Sequence, residues 1–141
     1  MEQSLPAHLQ LEIVTPDRQV VHDSVDSVSI PGKSGYLGIL PGHAPLLSEL
    51  RTGELVYTRG ETKHYLAMSW GFAEVLPDRV IILVQTAERA EEIDLARAER
   101  ALERAEERLK KFSDPTIDAA RAREAYERAR ARLQAAHRTG D

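Results

Sequence analysis

Cysteine is absent from this sequence, which excludes disulfides, thiolate catalysis and Cys-ligated zinc or iron–sulfur centres within the chain. Aromatic residues make up only 5% of it, so a core has to be assembled from aliphatic side chains and alanine. No window approaches 18 consecutive apolar residues, and no membrane-spanning helix is expected. Met1 to Gln10 lacks a basic stretch followed by an apolar one, so no secretory signal is read there. The net charge is −4, too acidic for a dedicated nucleic-acid binder. What remains is 141 residues with 42% apolar and 30% charged side chains, enough for a core of ordinary kind. A soluble cytoplasmic protein is the reading these absences leave.

Catalytic signatures are missing as well. The five histidines (His8, His22, His43, His64, His137) are scattered, with no pair at i, i+4 on one helix and no acid at zinc-motif spacing. His22, next to Asp23 and near Asp26, reads as part of a solvated turn. Ser69-Trp-Gly71 has no preceding glycine at the spacing of a nucleophile elbow. Gly32-Lys-Ser-Gly35 lacks the upstream glycine of a phosphate-binding loop. No catalytic residue and no metal ligand is assigned, and an enzyme is not expected.

What is present divides in two. Residues 1–87 carry 6 Lys/Arg against 10 Asp/Glu, whereas residues 88–141 carry 13 of each. From Leu9 to Thr86 the pattern is of strands. Leu9, Leu11 and Ile13 alternate with polar residues, Val25 to Ile30 forms a second short stretch, and Val80–Val84 is a continuous apolar run suited to a strand covered on both faces. Turn signals recur at Thr15-Pro-Asp17, Pro31-Gly-Lys-Ser-Gly35, Pro41-Gly42, Thr52-Gly53, Arg59-Gly-Glu61 and Pro77-Asp78. This predicts an antiparallel β-sandwich or barrel over 1–87, with no helix to cross over between parallel strands. After Thr86 the residues are mostly Ala, Arg, Glu and Leu, strong helix formers. Phe112-Ser-Asp-Pro115 divides that stretch, with Pro115 in a first helical turn and Asp114 as its N-cap. Two helices, about 91–111 and 115–136, are expected to fold back as an antiparallel hairpin over 88–141.

The two helices resemble each other. Ile93–Leu109 aligns with Ile117–Leu133 at an offset of 24, and 11 of the 17 pairs are identical. Their apolar stripes are thin and rich in alanine: Ala98, Ala101, Leu102, Ala105 and Leu109 on one, Ala122, Ala125, Tyr126, Ala129 and Leu133 on the other. Alanine buries little area, at roughly 25 cal/mol per Å², so the hairpin should be held weakly and be a mobile element.

Two features invite a functional reading. Ser34-Gly-Tyr-Leu-Gly-Ile-Leu-Pro-Gly-His-Ala-Pro-Leu-Leu47 is either a bulged hairpin with a buried histidine on a backbone turn or an exposed, rigid docking loop. Arginines recur every four residues at Arg100, Arg104 and Arg108 and again at Arg128 and Arg132. They form either solvated, salt-bridged faces or a convergent site for a polyanion. Residues 115–138 hold six arginines against three acids, a local +3.

A β-sandwich carrying Gly-Tyr-Leu-Gly-Ile-Leu-Pro-Gly-His-Ala-Pro-Leu-Leu, followed by Ile-Asp-x-x-Arg-Ala at the start of a helical hairpin, resembles the epsilon subunit of F-type ATP synthases across essentially the whole chain. The resemblance implies a non-catalytic central-stalk subunit on the cytoplasmic face of the bacterial inner membrane, attached there only through its complex. Its partners would be the gamma subunit, the ring of c subunits and the alpha/beta catalytic subunits, with no nucleic acid. Gly35, Tyr36, Leu37, Gly38 and His43 would belong to the loop that docks on the c-ring. Where bacterial members place a glutamate, this chain has Tyr36, which implies an aromatic packing contact instead of a charged one. The hairpin would be a switch: permissive when folded on the sandwich, inhibitory to ATP hydrolysis when extended, through Arg121, Arg123, Arg128, Arg130 and Arg132. No cofactor is required, but ATP would be a regulatory ligand, with Glu88, Ile93 and Asp94 toward the base or ribose. Arg97, beside Ala98 in the motif, and Arg104, Arg128 and Arg132 would then face the phosphates. The alternative is a stand-alone Arg-rich adaptor for RNA or another polyanion, against which stand the acidic β-half and the lack of clustered aromatics for base stacking.

Overall fold

The computed structural model describes residues 5–111 and 113–138. The described residues begin with ten strands, β1 (Leu9–Val14), β2 (Gln19–Val25), β3 (Ser27–Gly32), β4 (Gly35–Ile39), β5 (Leu46–Leu50), β6 (Gly53–Arg59), β7 (Thr62–Met68), β8 (Gly71–Leu76), β9 (Arg79–Val84) and β10 (Ala87–Arg89). They form one sheet in the order β10-β7-β6-β3-β5-β8-β9-β1-β2, with β4 on β3, coiled into a nearly closed sandwich. Alternation puts one face of each strand inside: Leu9, Leu11 and Ile13 of β1 are fully buried, as are Val80 and Ile82 of β9. Met1 to Ser4, within the stretch read for a signal, lie outside the described residues.

Three expectations are corrected here. Pairing is antiparallel except between β1 and β9, which run parallel from Gln10 beside Arg79 to Val14 beside Leu83. A parallel pair needs a long connection, and the seven intervening strands supply it without a crossover helix. Second, β9 is not covered on both faces: Val80, Ile82 and Val84 point inward, while Leu83 is 54% exposed. Third, His22 lies in β2, not in a turn, with its Nε2 4.0 Å from Glu12. The chain turns instead at Asp26, whose carboxylate accepts the Gly60 N–H at 2.6 Å and lies 3.0 Å from His8 Nδ1. The Gly60 amide, and His8 after it, hold that carboxyl below the usual aspartate range.

Two helices follow, α1 (Leu95–Lys110) and α2 (Ala119–Arg138), after a 3₁₀ turn over Ala90–Glu92. Both start four residues later than expected. Asp94 caps α1 by accepting the Arg97 N–H at 3.1 Å, and Asp118 does the same for Arg121 at 3.1 Å. Asp114 is not the cap: its carboxylate takes the Thr116 N–H and hydroxyl at 2.9 and 2.7 Å, closing a turn around Pro115 that the helix cannot enter. Phe112 lies outside the described residues. Asp94→Ala or Asp118→Ala should each cost about 1 kcal/mol of helix stability. Amide exchange at Arg97 or Arg121 should quicken accordingly, and exchange within the strands should not change.

The helices pack through alanine. Ala98 and Ala105 of α1 and Ala122 and Ala129 of α2 are buried between them. Against the sandwich, Ala131 and Ala135 form a small cluster with Ala67 of β7 and Ala90, edged by Tyr65 and Ile93. This cluster is separate from the main core inside the sheet.

Candidate functional site

Three surfaces carry the chemistry. The first is the loop region Gly35–His43. Gly35 and Gly42 have φ of +141° and +88°, values that disfavour side chains, and they make the turns at either end of β4. The Gly42 N–H donates to Pro77 O at 2.8 Å, and a Cβ there would lie 2.9 Å from Leu5 Cδ2. Leu37 packs on the core and Gly38 faces open space. His43 is half-buried, and its Nδ1 lies 2.7 Å from Ala44 O, to which that nitrogen donates. Leu40 and Leu47 stand exposed beside it. Tyr36 lies back across the sheet: its Oη accepts the Glu54 N–H at 3.3 Å, although half of the residue is exposed.

The second surface was not anticipated from sequence. Phe72 of β8 and Leu83 of β9 are cross-strand neighbours, 51% and 54% exposed. Trp70 meets Phe72 edge-on, with centroids 5.1 Å apart. Its indole N–H donates to Glu49 Oε1 at 2.9 Å, and Lys33 Nζ stands 3.3 Å from the same carboxylate. The indole hydrogen bond first, and Lys33 second, keep the Glu49 carboxyl below the usual range. The available signal was the apolar residue at each alternate position, 70 and 72, together with the unbroken apolar run Val80–Val84.

The third surface is the seat of the hairpin. Arg132 Nε donates to Glu88 Oε1 at 2.6 Å, and Ile93 packs on the alanine cluster. Asp94 caps α1 through Oδ1, and Ala98 is buried in the interhelical seam. Arg97 and Arg104 are exposed and Arg128 half-buried; none of the three lies within 4 Å of a carboxylate among the described residues. The five arginines expected to form one inhibitory face occupy two. At about 100° per residue, Arg121, Arg128 and Arg132 share one flank of α2, and Arg123 and Arg130 share the opposite one. Arg123 and Arg130 line a cleft of about 640 Å³ between α2 and the sandwich, together with Tyr36, Arg51, Glu124 and Glu127.

A sandwich with an open apolar face, carrying a helical hairpin held on alanines, defines an interaction subunit, a protein that works by what it docks against. The chain matches the beta-sandwich domain of the ATP synthase delta/epsilon chain over residues 8–90 and the long alpha-helix domain of the same chain over residues 91–137. It is 66% identical over 102 residues to an ATP synthase epsilon chain of Koribacter versatilis, covering 72% of this chain and 71% of the relative. It is 51% identical over 105 residues to ATP synthase epsilon chain 2 of Syntrophotalea carbinolica, covering 74% and 76%. A chain in the cryo-EM structure of the Euglena gracilis mitochondrial ATP synthase, OSCP/F1/c-ring, superposes with a TM-score of 0.80 at 27% identity, covering 97% of this chain and 86% of that one. A chain of the Tetrahymena thermophila central stalk/c-ring shares the fold, with a TM-score of 0.59 at 15% identity over 94% and 99%. The chain belongs to the ATP synthase delta/epsilon family, with the epsilon chains of bacterial F-type enzymes.

Proposed function

We propose that this central-stalk subunit couples rotation to catalysis without chemistry of its own and restrains ATP hydrolysis through its hairpin. The sandwich docks on the gamma subunit through Trp70, Phe72 and Leu83, because a contiguous exposed apolar row marks a surface that a partner covers. Leu40 and Leu47, beside Gly38 and His43, suit the polar–apolar border of a membrane-embedded c-ring. The subunit is held at the cytoplasmic face of the bacterial inner membrane by these contacts; no helix of the described residues is long and apolar enough to cross it.

The observation that carries the regulatory reading is the seat itself. Four alanines, detached from the main core, hold the hairpin down. A ligand at 100 times its Kd adds about 2.7 kcal/mol to the state it binds, enough to rebalance such a contact. When extended, the hairpin presents both arginine flanks of α2 to acidic segments of the alpha/beta subunits. ATP stabilises the seated form, with Glu88, Ile93 and Asp94 toward the nucleoside and Arg97, Arg104, Arg128 and Arg132 toward the phosphates. The Glu88–Arg132 pair supports this, as do Arg97, Arg104 and Arg128, none of which lies within 4 Å of a carboxylate among the described residues. Calorimetric titration of the full chain should detect ATP in preference to GTP and ADP. Arg104→Ala or Arg128→Ala should abolish that heat with circular dichroism unchanged; unaltered affinity in both would sink the nucleotide site.

A further inference from the structure

The strand register under α2 aligns three residues. Glu54 of β6 stands opposite Ala67 of β7, and Ala67 stands opposite Glu88 of β10, so all three lie in one row on the face the hairpin covers. Ala131 and Ala135 seat on Ala67, and a carboxylate flanks that contact on either side. The two carboxylates are treated very differently. Glu88 is partly exposed and receives Arg132 Nε–H directly, at 2.6 Å. Glu54 is only 4% exposed, and its Oε2 has no hydrogen-bond partner among the described residues. Among the described residues its ion-pair partner is Arg138, whose Nε stands 3.8 Å away and whose guanidinium lies over the Tyr65 ring, 5.8 Å from its centroid. A carboxylate sealed from water with an ion pair too long to hydrogen-bond is an expensive arrangement when ionised and an inexpensive one when protonated.

We infer that Glu54 is a proton-sensitive latch for the hairpin: protonated, it favours the seated α2, and ionised, it works to lift it. The inference rests on the reading that the hairpin leaves its seat. Burial pushes the Glu54 carboxyl above the usual glutamate range, and the Arg138 charge offsets this only in part. Around it, α2 presents Arg138, β7 presents Tyr65, β10 presents Glu88 across Ala67, and β4 presents the Tyr36 hydroxyl, which accepts Glu54's own N–H. β3 carries no titratable residue. With the hairpin lifted, Glu54 opens to water and returns to its ordinary range. The seated state therefore binds the proton more tightly, so it gains stability as pH falls and loses it as pH rises through the elevated value. Acidification then holds the hairpin down and alkalinity releases it.

The test uses the full chain. Because it contains no cysteine, a Thr62→Cys, Glu103→Cys pair takes two nitroxide labels uniquely, and their distance distribution reads seated against lifted hairpin. The seated-to-lifted ratio should be higher at pH 4 than at pH 8, by up to about tenfold for each pKa unit separating the two states. Glu54→Gln, which keeps the shape and removes the charge, should stay seated at both. Equal pH profiles in the two chains would overturn the role of Glu54 alone, whereas a single distance at every pH in both would overturn the mobile hairpin as well. If Glu54→Gln does not fold, carboxyl NMR on the unaltered chain decides: a Glu54 midpoint above the other glutamates supports the latch, and one among them overturns it.

Discussion

Phe72→Glu is expected to remove this subunit from the gamma subunit while leaving it folded, and Phe72→Glu with Leu83→Glu should do so completely. Both side chains are more than half exposed, so the sandwich loses little by the change; substitutions of this kind usually fall within about 0.5 kcal/mol. In the proposed interface they are the apolar centre, with Trp70 alongside. There, placing a carboxylate against apolar partner surface costs the contact and the desolvation of the charge together. Truncating such a centre commonly costs about 2 kcal/mol or more, and burying a charge adds to that, so binding should weaken at least about 30-fold. Lys63→Glu, exposed on β7 and away from this row, is the matched control and should bind normally. Calorimetry against isolated gamma subunit, with thermal unfolding of each variant, separates the outcomes. Normal gamma affinity for the double variant would mean that the apolar row serves another contact.

The same row explains where sequence reading failed. An alternating strand such as β1 declares its buried face, because its outer positions are polar. Val80–Val84 does not alternate, and a run without alternation is compatible with a strand covered on both sides. The structure gives β9 one cover, the core, and leaves Leu83 outside. Its second apolar face is the one proposed to meet the gamma subunit. Periodicity reports how many faces want cover, not which molecule supplies it. The parallel β1–β9 pair was hidden for a related reason: nothing local marks two strands that are joined through seven others.

The helical half was partly readable and partly misassigned. Composition and Pro115 divided it correctly, but the cap was placed at Asp114 instead of Asp118. The answer lay in the internal repeat, since an offset of 24 carries Asp94 onto Asp118 and Arg97 onto Arg121, the same cap and the same donor. The arginines were legible as residues and illegible as a face. Spacing of four keeps Arg128 and Arg132 together, but Arg123 and Arg130 belong to the far flank, which meets Tyr36 and Arg51 across a cleft. Glu54 gave no sequence signal at all. One glutamate after a turn glycine looks solvated, and only the register of three strands beneath a helix shows it buried.

Ala135→Leu should free the hairpin without unfolding either half. Ala135 is fully buried against Ala67 and Ala90, with no room for three further carbons. Overpacking of this kind costs roughly 1–3 kcal/mol when the contact is held. Leucine forms helix nearly as well as alanine, so α2 itself keeps its stability, and the cost exists only in the seated state. The whole of it therefore enters the balance between seated and lifted forms, shifting that ratio by about 5- to 150-fold toward lifted. Hydrogen exchange should register faster opening of the α2 face that covers β7, with protection inside β1, β8 and β9 unchanged. The thermal midpoint of the sandwich is the decisive companion. If it stays, the two bodies are energetically separable, as their separate apolar clusters require of a switch. If it falls together with the hairpin, the alanine seat is part of one cooperative unit, and a lifted hairpin above an intact sandwich has no thermodynamic basis.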